Sequence, residues 1–209
     1  MDFDENFEAV RAYFGQKFKT YGATPQGVDW KSTQVHELRM KQLTRIFNQP
    51  AGFTILDYGC GYGAFADYLD ANGYHYDQFF GLDIVETMIQ KGRELHPDTQ
   101  RFKFSTRLVD LPVADYAIAC GVFNNKLEAS YQDWSQHVLS SLNEMSEHCK
   151  YGFSSNFLTQ YSDPERMRAD LYYADPCFLF DYCKTHFSRN VALLHDYELY
   201  DFTLLVRKN

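Results

Sequence analysis

The stretch Ile55–Gly63 reads ILDYGCGYG, an apolar run that ends in an acid and continues with glycine at every second position. Such a run predicts a buried β-strand, and the glycines predict that the strand breaks into a tight loop. A helix should follow at Ala64–Asn72, where apolar residues recur at helical spacing before the stop signal Asn72-Gly73. Because glycine has no Cβ, a ligand can approach the main chain closely. The stretch therefore predicts a binding site built from backbone.

Short apolar runs alternate with helical stretches from Thr54 onward, which is typical of repeated βαβ units. The pattern predicts an α/β fold with a mostly parallel sheet and helices on both of its faces. The predicted strands are Thr54–Tyr58, Gln78–Leu82, Phe102–Phe104, Tyr116–Cys120 and Tyr151–Ser155. The helices predicted between them are Ala64–Asn72, Glu86–Leu95 and Gln132–Cys149.

The last third of the chain departs from this alternation. A polar loop is predicted at Asn156–Arg168, and a helix at Cys177–His186. Two apolar runs, Val191–Leu194 and Phe202–Val206, then flank a short connection. They predict a hairpin that closes one edge of the sheet, so that one terminal strand runs antiparallel.

The first 50 residues are predicted to form a helical cap on a core of residues 51–209, within a single domain 1–209. Apolar residues recur at helical spacing from Phe7 to Phe18, and a second helix is predicted at Ser32–Phe47 with Ser32 or Thr33 as its cap. The loop between these helices contains Asp29 next to Trp30. Either Asp29 caps a helix and Trp30 fills the core, or the loop belongs to a lid over a ligand.

Composition excludes several functional classes. A net charge of −8 without any basic run argues against nonspecific binding of nucleic acid. Five cysteines form no CxxC pair, so we expect reduced thiols and a cytoplasmic location. No apolar run approaches the roughly 20 residues that span a bilayer, so we expect no membrane segment. With 16 Tyr and 18 Phe the chain is rich in rings, which serve in core packing, in a ligand pocket, or in both.

Two markers point to an adenosine-containing ligand. The glycine loop lies at the carboxyl end of the first strand, where an open α/β sheet binds its ligands. Asp83 ends the second strand about 20 residues later, the position from which a carboxylate accepts hydrogen bonds from a ribose diol. The same markers occur in NAD-binding folds. NAD is disfavoured by the form DxGxGxG, by the late first strand and by the terminal hairpin.

With these residues, the sequence resembles the class I S-adenosylmethionine-dependent methyltransferases. Their first motif, two hydrophobic residues followed by D/E-x-G-x-G-x-G, is matched by Ile55–Gly63, and their second acid is matched by Asp83. The resemblance covers roughly residues 52–209. It implies a Rossmann-like, seven-stranded, mostly parallel sheet that ends in the antiparallel hairpin, with the N-terminal helices as a lid. It also implies S-adenosylmethionine as cofactor.

The same resemblance implies roles for individual residues. Asp57, Gly59 and Gly61 would line the methionine end of the cofactor, Asp83 would hold the ribose hydroxyls, and Ile84 would pack on the adenine. Cys60, Gly121 and Phe123 complete the expected cofactor contacts. The exit of the fourth strand, Gly121–Asn125, corresponds to the place where the acceptor meets the methyl group. It lacks the Asn-Pro-Pro-aromatic signature of the nucleic-acid and some protein amide N-methyltransferases, which disfavours those substrates.

Methyl transfer from a sulfonium is a displacement in which the enzyme mainly positions the acceptor and excludes water. An oxygen acceptor of high pKa also needs a base, whereas an uncharged amine does not. His36, His137, His186, His195 and Asp29 are candidates, with the tyrosines behind them, and we select His137. The expected substrate contacts are Trp30, Asn124, Tyr161, Arg166 and Tyr172. No metal ligands are assigned.

The sequence thus predicts an enzyme that methylates a small molecule, on oxygen rather than nitrogen, for example a sugar or a secondary metabolite. It gives no indication of the oligomeric state. Two alternatives remain at this point. One is an NAD(P)-dependent oxidoreductase, and the other is a noncatalytic protein that binds S-adenosylmethionine.

Overall fold

The fold is built on one mixed sheet, seen in a computed structural model that describes residues 3–30, 32–49 and 51–208. The parts of the predicted cap and core at residues 1, 2, 31, 50 and 209 lie outside the described residues. The strands are β1 Ala51–Tyr58, β2 His75–Leu82, β3 Phe102–Ser105, β4 Ala114–Ala119, β5 Cys149–Thr159, β6 Tyr173–Ala174, β7 Asn190–Leu194 and β8 Asp201–Arg207.

The sheet is mostly parallel, as predicted. Seven strands form a continuous path, β3-β2-β1-β4-β5-β8-β7, and the two-residue β6 pairs with β5 beside it. Only β8 runs antiparallel to its neighbours β5 and β7. The predicted terminal hairpin is therefore confirmed, and the sheet gains an eighth short strand that the sequence did not predict.

Helices cover both faces of the sheet. They are α1 Phe3–Tyr21, α2 Thr33–Leu43, α3 Ala64–Ala71, α4 Glu86–Leu95, α5 Tyr131–Glu147 and α6 Pro176–His186. One core joins α2, α3 and α4 to the sheet through Met40, Phe65 and Ile89. The other core joins α5 and α6 to the opposite face through Val138 and Leu179. The two clusters cover opposite faces of the sheet with apolar side chains, as expected for a mostly parallel sheet that is buried on both faces.

One predicted loop is partly wrong. The segment Asn156–Arg168 was expected to be a polar loop, but β5 continues to Thr159. Ser154 and Asn156 of this strand are completely buried and are paired inside the protein. Ser154 donates to the carbonyl oxygen of Leu43 at 3.0 Å, and Asn156 bonds Asp201 at 2.9 Å. Buried polar groups with partners are compatible with a central strand.

Polar contacts hold the N-terminal cap together. Ser32 is the N-cap of α2, as predicted, and accepts from the amide of Val35 at 3.3 Å. Asp29 has a left-handed backbone with φ of 65°. Its carboxylate pairs with α1, accepting from the Tyr13 hydroxyl at 2.9 Å and from Lys17 Nζ at 2.7 Å. Within the described segments, we find no helix of the length and apolarity that crossing a membrane requires.

The packing of β2 against β3 yields a test of the fold. A Cβ added to Gly81 would lie 2.4 Å from Phe104 Cδ1 and 2.8 Å from Cys60 Sγ. We expect Gly81→Ala to lower the free energy of unfolding by about 1–3 kcal/mol through overpacking, measured by urea denaturation.

The matched control adds space at the same point. Combining Gly81→Ala with Phe104→Leu should cost less than the sum of the two single changes, because the shortened side chain leaves room for the new methyl group. Additive losses would contradict the contact between these two positions.

Candidate active site

A cavity of about 1080 Å³ lies at the carboxyl ends of the parallel strands. Its floor is formed by the ends of β1 and β4, which are the two central strands between which the strand order reverses. The cap covers it with side chains from α1 and α2, including Phe14 and Met40. The position is the one at which open α/β sheets bind ligands.

The glycine loop donates its own amides within the protein. The amides of Gly59 and Cys60 both donate to the carbonyl oxygen of Leu82, at 2.7 and 2.9 Å. The amide of Gly61 donates to Asp83 Oδ2 at 2.8 Å, and that of Gly63 donates to the carbonyl oxygen of Cys60 at 3.0 Å. These four N–H groups are therefore engaged, whereas a loop that cradles phosphates keeps its amides directed at the ligand.

Two carboxyl groups flank this loop on the cavity wall. Asp57 is buried at the end of β1, and burial, followed by the nearby Asp83, raises its pKa to about 8. The carboxylate of Asp83 accepts from the amides of Gly61 and Val85, at 2.8 and 2.9 Å. Burial raises the pKa of Asp83, and these two bonds oppose that effect. Because burial costs free energy for a charged acid, a bound cation or hydroxyl group would stabilise both carboxylates.

The loop after β4 packs directly on the glycine loop. Gly59 has φ of +82°, and a Cβ there would lie 2.4 Å from Val122 Cγ2. Only glycine satisfies both the backbone conformation and the close approach. Gly121, Val122 and Asn124 line the cavity beside it.

The structure places most of the predicted cofactor residues on the cavity wall. These are Asp57, Gly59, Cys60, Gly61, Asp83, Ile84 and Gly121. Phe123 is a correction, because it is completely buried and stacks on Phe157 with ring centroids 5.3 Å apart. Its carbonyl oxygen accepts from Trp134 Nε1 at 2.8 Å, which holds the loop in place. Phe123 therefore belongs to the core.

Three of the five predicted substrate contacts line the cavity, namely Trp30, Asn124 and Arg166. Two are corrections. Tyr161 is 64% exposed and lies off the cavity wall, while Tyr172 is buried against Tyr131 and bonds Ser135 Oγ at 3.1 Å. Tyr173 lines the cavity instead, because successive side chains of an extended segment point to opposite sides.

Sequence reasoning missed Asn125 in this region. The side-chain oxygens of Asn124 and Asn125 are buried, and neither has a hydrogen-bond partner among the described residues. The Asn-Asn pair at the exit of a central strand was the available signal. The backbone around the pair is fixed, since the amide of Tyr172 donates to the carbonyl oxygen of Asn124 at 2.8 Å and Asn125 bridges Leu171.

Of the histidines considered as bases, His36 and His137 line the cavity, whereas His186 and His195 are exposed elsewhere. Burial lowers the pKa of His137 to about 4. Burial, with a smaller effect of the Arg39 charge, lowers the pKa of His36 to about 3. Both imidazoles are therefore neutral at pH 7, and the same burial makes each a weaker base than a free imidazole. The Nδ1 atom of His137 lies 3.4 Å from Ser141 Oγ.

Comparison with known proteins agrees with this geometry. A family model described as "Methyltransferase domain" matches residues 55–152. A relative from Mycobacterium tuberculosis, named "Putative methyltransferase Rv1506c", is 45% identical over 164 residues, which make up 78% of this chain and 98% of the relative. The chain belongs to the class I S-adenosylmethionine-dependent methyltransferases. The protein is therefore an enzyme, and the predicted family and cofactor are confirmed.

Solved structures match the fold of the methyltransferase along nearly its whole length. Magnesium protoporphyrin IX methyltransferase (ChlM) from Synechocystis PCC 6803, with bound S-adenosylhomocysteine, has a TM-score of 0.66 at 16% identity and covers 98% of this chain and 100% of its own. The N-methyltransferase NodS from Bradyrhizobium japonicum WM9, in complex with S-adenosylhomocysteine, has a TM-score of 0.63 at 13% identity, with 93% and 98% covered. The predicted Rossmann-like fold is thereby confirmed.

The raised pKa of Asp57 makes a prediction about stability. The pKa is about 8 in the folded protein and 3.8 in the reference state. Between these values the folded state binds the proton that the unfolded state has lost, so this group lowers the free energy of unfolding as pH rises. We expect the melting temperature of the wild type to fall relative to that of Asp57→Asn between pH 5 and pH 8.5.

The variant isolates this group, because every other titrating residue is common to both proteins. A constant difference between the two melting temperatures across that pH range would contradict the protonated state of Asp57.

Proposed function

We propose that the methyltransferase transfers the methyl group of S-adenosylmethionine to a small-molecule acceptor, and that oxygen is the preferred acceptor atom. The observation that carries the choice of ligand is the state of the glycine loop. Its amides at Gly59, Cys60, Gly61 and Gly63 are already donated inside the protein, and two carboxyl groups stand beside it. Such a surface favours a cationic amino-acid and sulfonium end over the pyrophosphate of NAD.

The residues present fit the cofactor of the family. Asp57, Gly59 and Gly61 would hold the methionine end, where the buried carboxyl of Asp57 has most to gain from a neighbouring positive charge. Asp83 would hold the ribose hydroxyls with the lone pairs left by its two backbone bonds. Ile84, which lines the cavity, would pack on the adenine.

When bound, S-adenosylmethionine supplies an activated methyl group on a positively charged sulfur. The protein's own residues then have to orient the acceptor, exclude water and take up a proton if the acceptor is a hydroxyl group. The cap excludes water from above with the aromatic rings of Phe14 and Trp30. His137 is proposed as the base, and His36 is the second neutral imidazole on the same cavity wall.

The acceptor is proposed to contact Trp30, Asn124 and Arg166, which line the cavity. The buried amide oxygens of Asn124 and Asn125 have no hydrogen-bond partner in the part of the chain that the structure describes, which favours an acceptor that brings O–H or N–H groups. The two imidazoles on the cavity wall offer a hydroxyl acceptor a base, which an uncharged amine does not need, although burial weakens both as bases. A cavity of about 1080 Å³ exceeds the upper end of the range typical for one drug-sized ligand, roughly 1,000 Å³. Cofactor and acceptor can therefore occupy it together.

The decisive experiment is incubation with methyl-labelled S-adenosylmethionine and a fractionated pool of metabolites, followed by mass spectrometry. We expect the label in a small molecule, on oxygen, and no transfer to nucleic acid or protein. The Gly59→Val variant provides the inactive control, because the added side chain would collide with Val122. Label on a macromolecule would overturn the proposed acceptor class, and tight NADH binding without a response to S-adenosylhomocysteine would overturn the proposed ligand.

Asp83 provides a quantitative test of the cofactor site. Asp83→Ala should weaken the binding of S-adenosylhomocysteine by about 1.5–3 kcal/mol, because charge-assisted bonds to the ribose are lost. Isothermal titration calorimetry measures this change. Asp77 is an exposed acid on β2, the strand that Asp83 follows, and Asp77→Ala should bind as the wild type does. An unchanged dissociation constant in a folded Asp83→Ala would remove Asp83 from the site.

A further inference from the structure

A buried ion pair joins the cap to the far side of the sheet. Arg39 on α2 binds the carboxylate of Asp201, the first residue of β8, with Nε on one oxygen and Nη2 on the other at 3.0 Å. Arg39 is 7% exposed and Asp201 is fully buried. Burying two charges is costly, and replacing such a pair by apolar residues is often neutral or stabilising. Its presence is therefore poorly explained by stability alone.

The pair extends by hydrogen bonds to the loop after β4. Asp201 Oδ2 also accepts from Asn156 Nδ2 at 2.9 Å, and Asn156 Oδ1 accepts from the amide of Gly121 at 2.8 Å. Asn156 is fully buried, and both ends of its carboxamide are engaged. The carboxamide therefore has one orientation, and the Cys120–Gly121 peptide is held by it.

The chain of contacts closes on itself through Trp30. The guanidinium of Arg39 lies over the Trp30 ring, 4.4 Å from its centroid. A Cβ on Gly121 would lie 2.3 Å from Trp30 Cζ2, and Gly121 has φ of +71°. The ring of contacts thus runs Arg39, Asp201, Asn156, Gly121, Trp30 and back to Arg39. All of these except Asn156 line the cavity.

We propose that Arg39, Asp201 and Asn156 are positioning residues for methyl transfer. They fix the distance between the Cys120–Gly121 peptide and the Trp30 ring. These two groups form the two sides of the cavity between which the methyl donor and the acceptor would meet. This rests on the proposed function. Displacement of reacting groups by about 1 Å can lower the rate by about 10²-fold. A rigid ring of contacts at this point therefore supports the rate of methyl transfer.

The test replaces the ion pair without leaving an unpaired charge. Arg39→Met combined with Asp201→Asn removes both charges, keeps both side chains close to their original size and leaves an amide oxygen at position 201 that can accept from Asn156, so the double variant should fold. The probe is S-adenosylmethionine carrying ¹³C in its methyl group, observed by NMR. We expect the dissociation constant to change less than about threefold. The bound methyl resonance should move by more than its linewidth, and turnover of the acceptor found by the metabolite screen should fall about 10²-fold.

Two further variants make the result decisive. Arg39→Lys keeps the charge but loses the bidentate fork and the planar stacking on Trp30, so it should shift the same resonance partway. It also decides the question if the double variant does not fold. The control is Arg101→Gln with Asp70→Asn, a partly exposed ion pair remote from the cavity wall, which should leave the resonance in place.

The outcomes separate the two levels of the argument. An unchanged methyl resonance and unchanged turnover in the folded double variant, or in Arg39→Lys, would reduce the ring to a structural contact and overturn the inference. Failure of the wild-type protein to bind the labelled cofactor would instead overturn the proposed function on which the inference rests.

Discussion

The site depends on the hydrogen bonds that join the glycine loop after β1 to the end of β2, here called the clamp. A single carbonyl oxygen, that of Leu82, accepts from two successive amides of the glycine loop, and the next residue, Asp83, accepts from a third. The loop can curl this tightly because Gly59 and Gly61 have positive φ values. The clamp consumes the donors that would otherwise attract an anion, and it leaves carboxylates at the surface of the cavity. The proposed preference for a cationic ligand thus follows from the backbone geometry.

The fold was predictable wherever the signal is local. The strand, loop and helix around Ile55–Gly63 follow from apolar runs and glycines within a few residues of each other, and the closing hairpin follows in the same way. The extension of β5 was missed because its evidence is distant in sequence. Asn156 is typical of a loop until its partner Asp201, which lies 45 residues away, is known. A polar side chain in a buried strand is only intelligible with its partner.

The site was predictable at the level of segments and less so at the level of side chains. The loop after β4 and the segment after β5 do reach the cavity. Within them, Phe123 points into the core where Asn124 reaches the cavity, and Tyr172 is buried where Tyr173 is accessible. Tyr172 and Tyr173 lie in an extended segment, where adjacent side chains alternate in direction. Phe123 lies in a turn, and its stacking on Phe157 holds it in the core. Which side chain reaches the cavity depends on where each strand ends and on its packing partners, and no short-range sequence pattern predicts these.

The site also concentrates features that oppose folding. A carboxyl group at Asp57 is buried with a raised pKa, and an ion pair at Arg39 and Asp201 is removed from water. Neither arrangement is favourable by itself, and each is sustained by the two apolar cores that hold the strands beneath the cavity. A chain selected for stability alone would replace such groups with apolar residues. Their position at the strand ends, facing one cavity, is therefore best understood as the cost of preorganising a site for a charged ligand. The cap is bound into that same site by the Arg39 ion pair, so closing the cavity and shaping its electrostatics are accomplished by the same side chains.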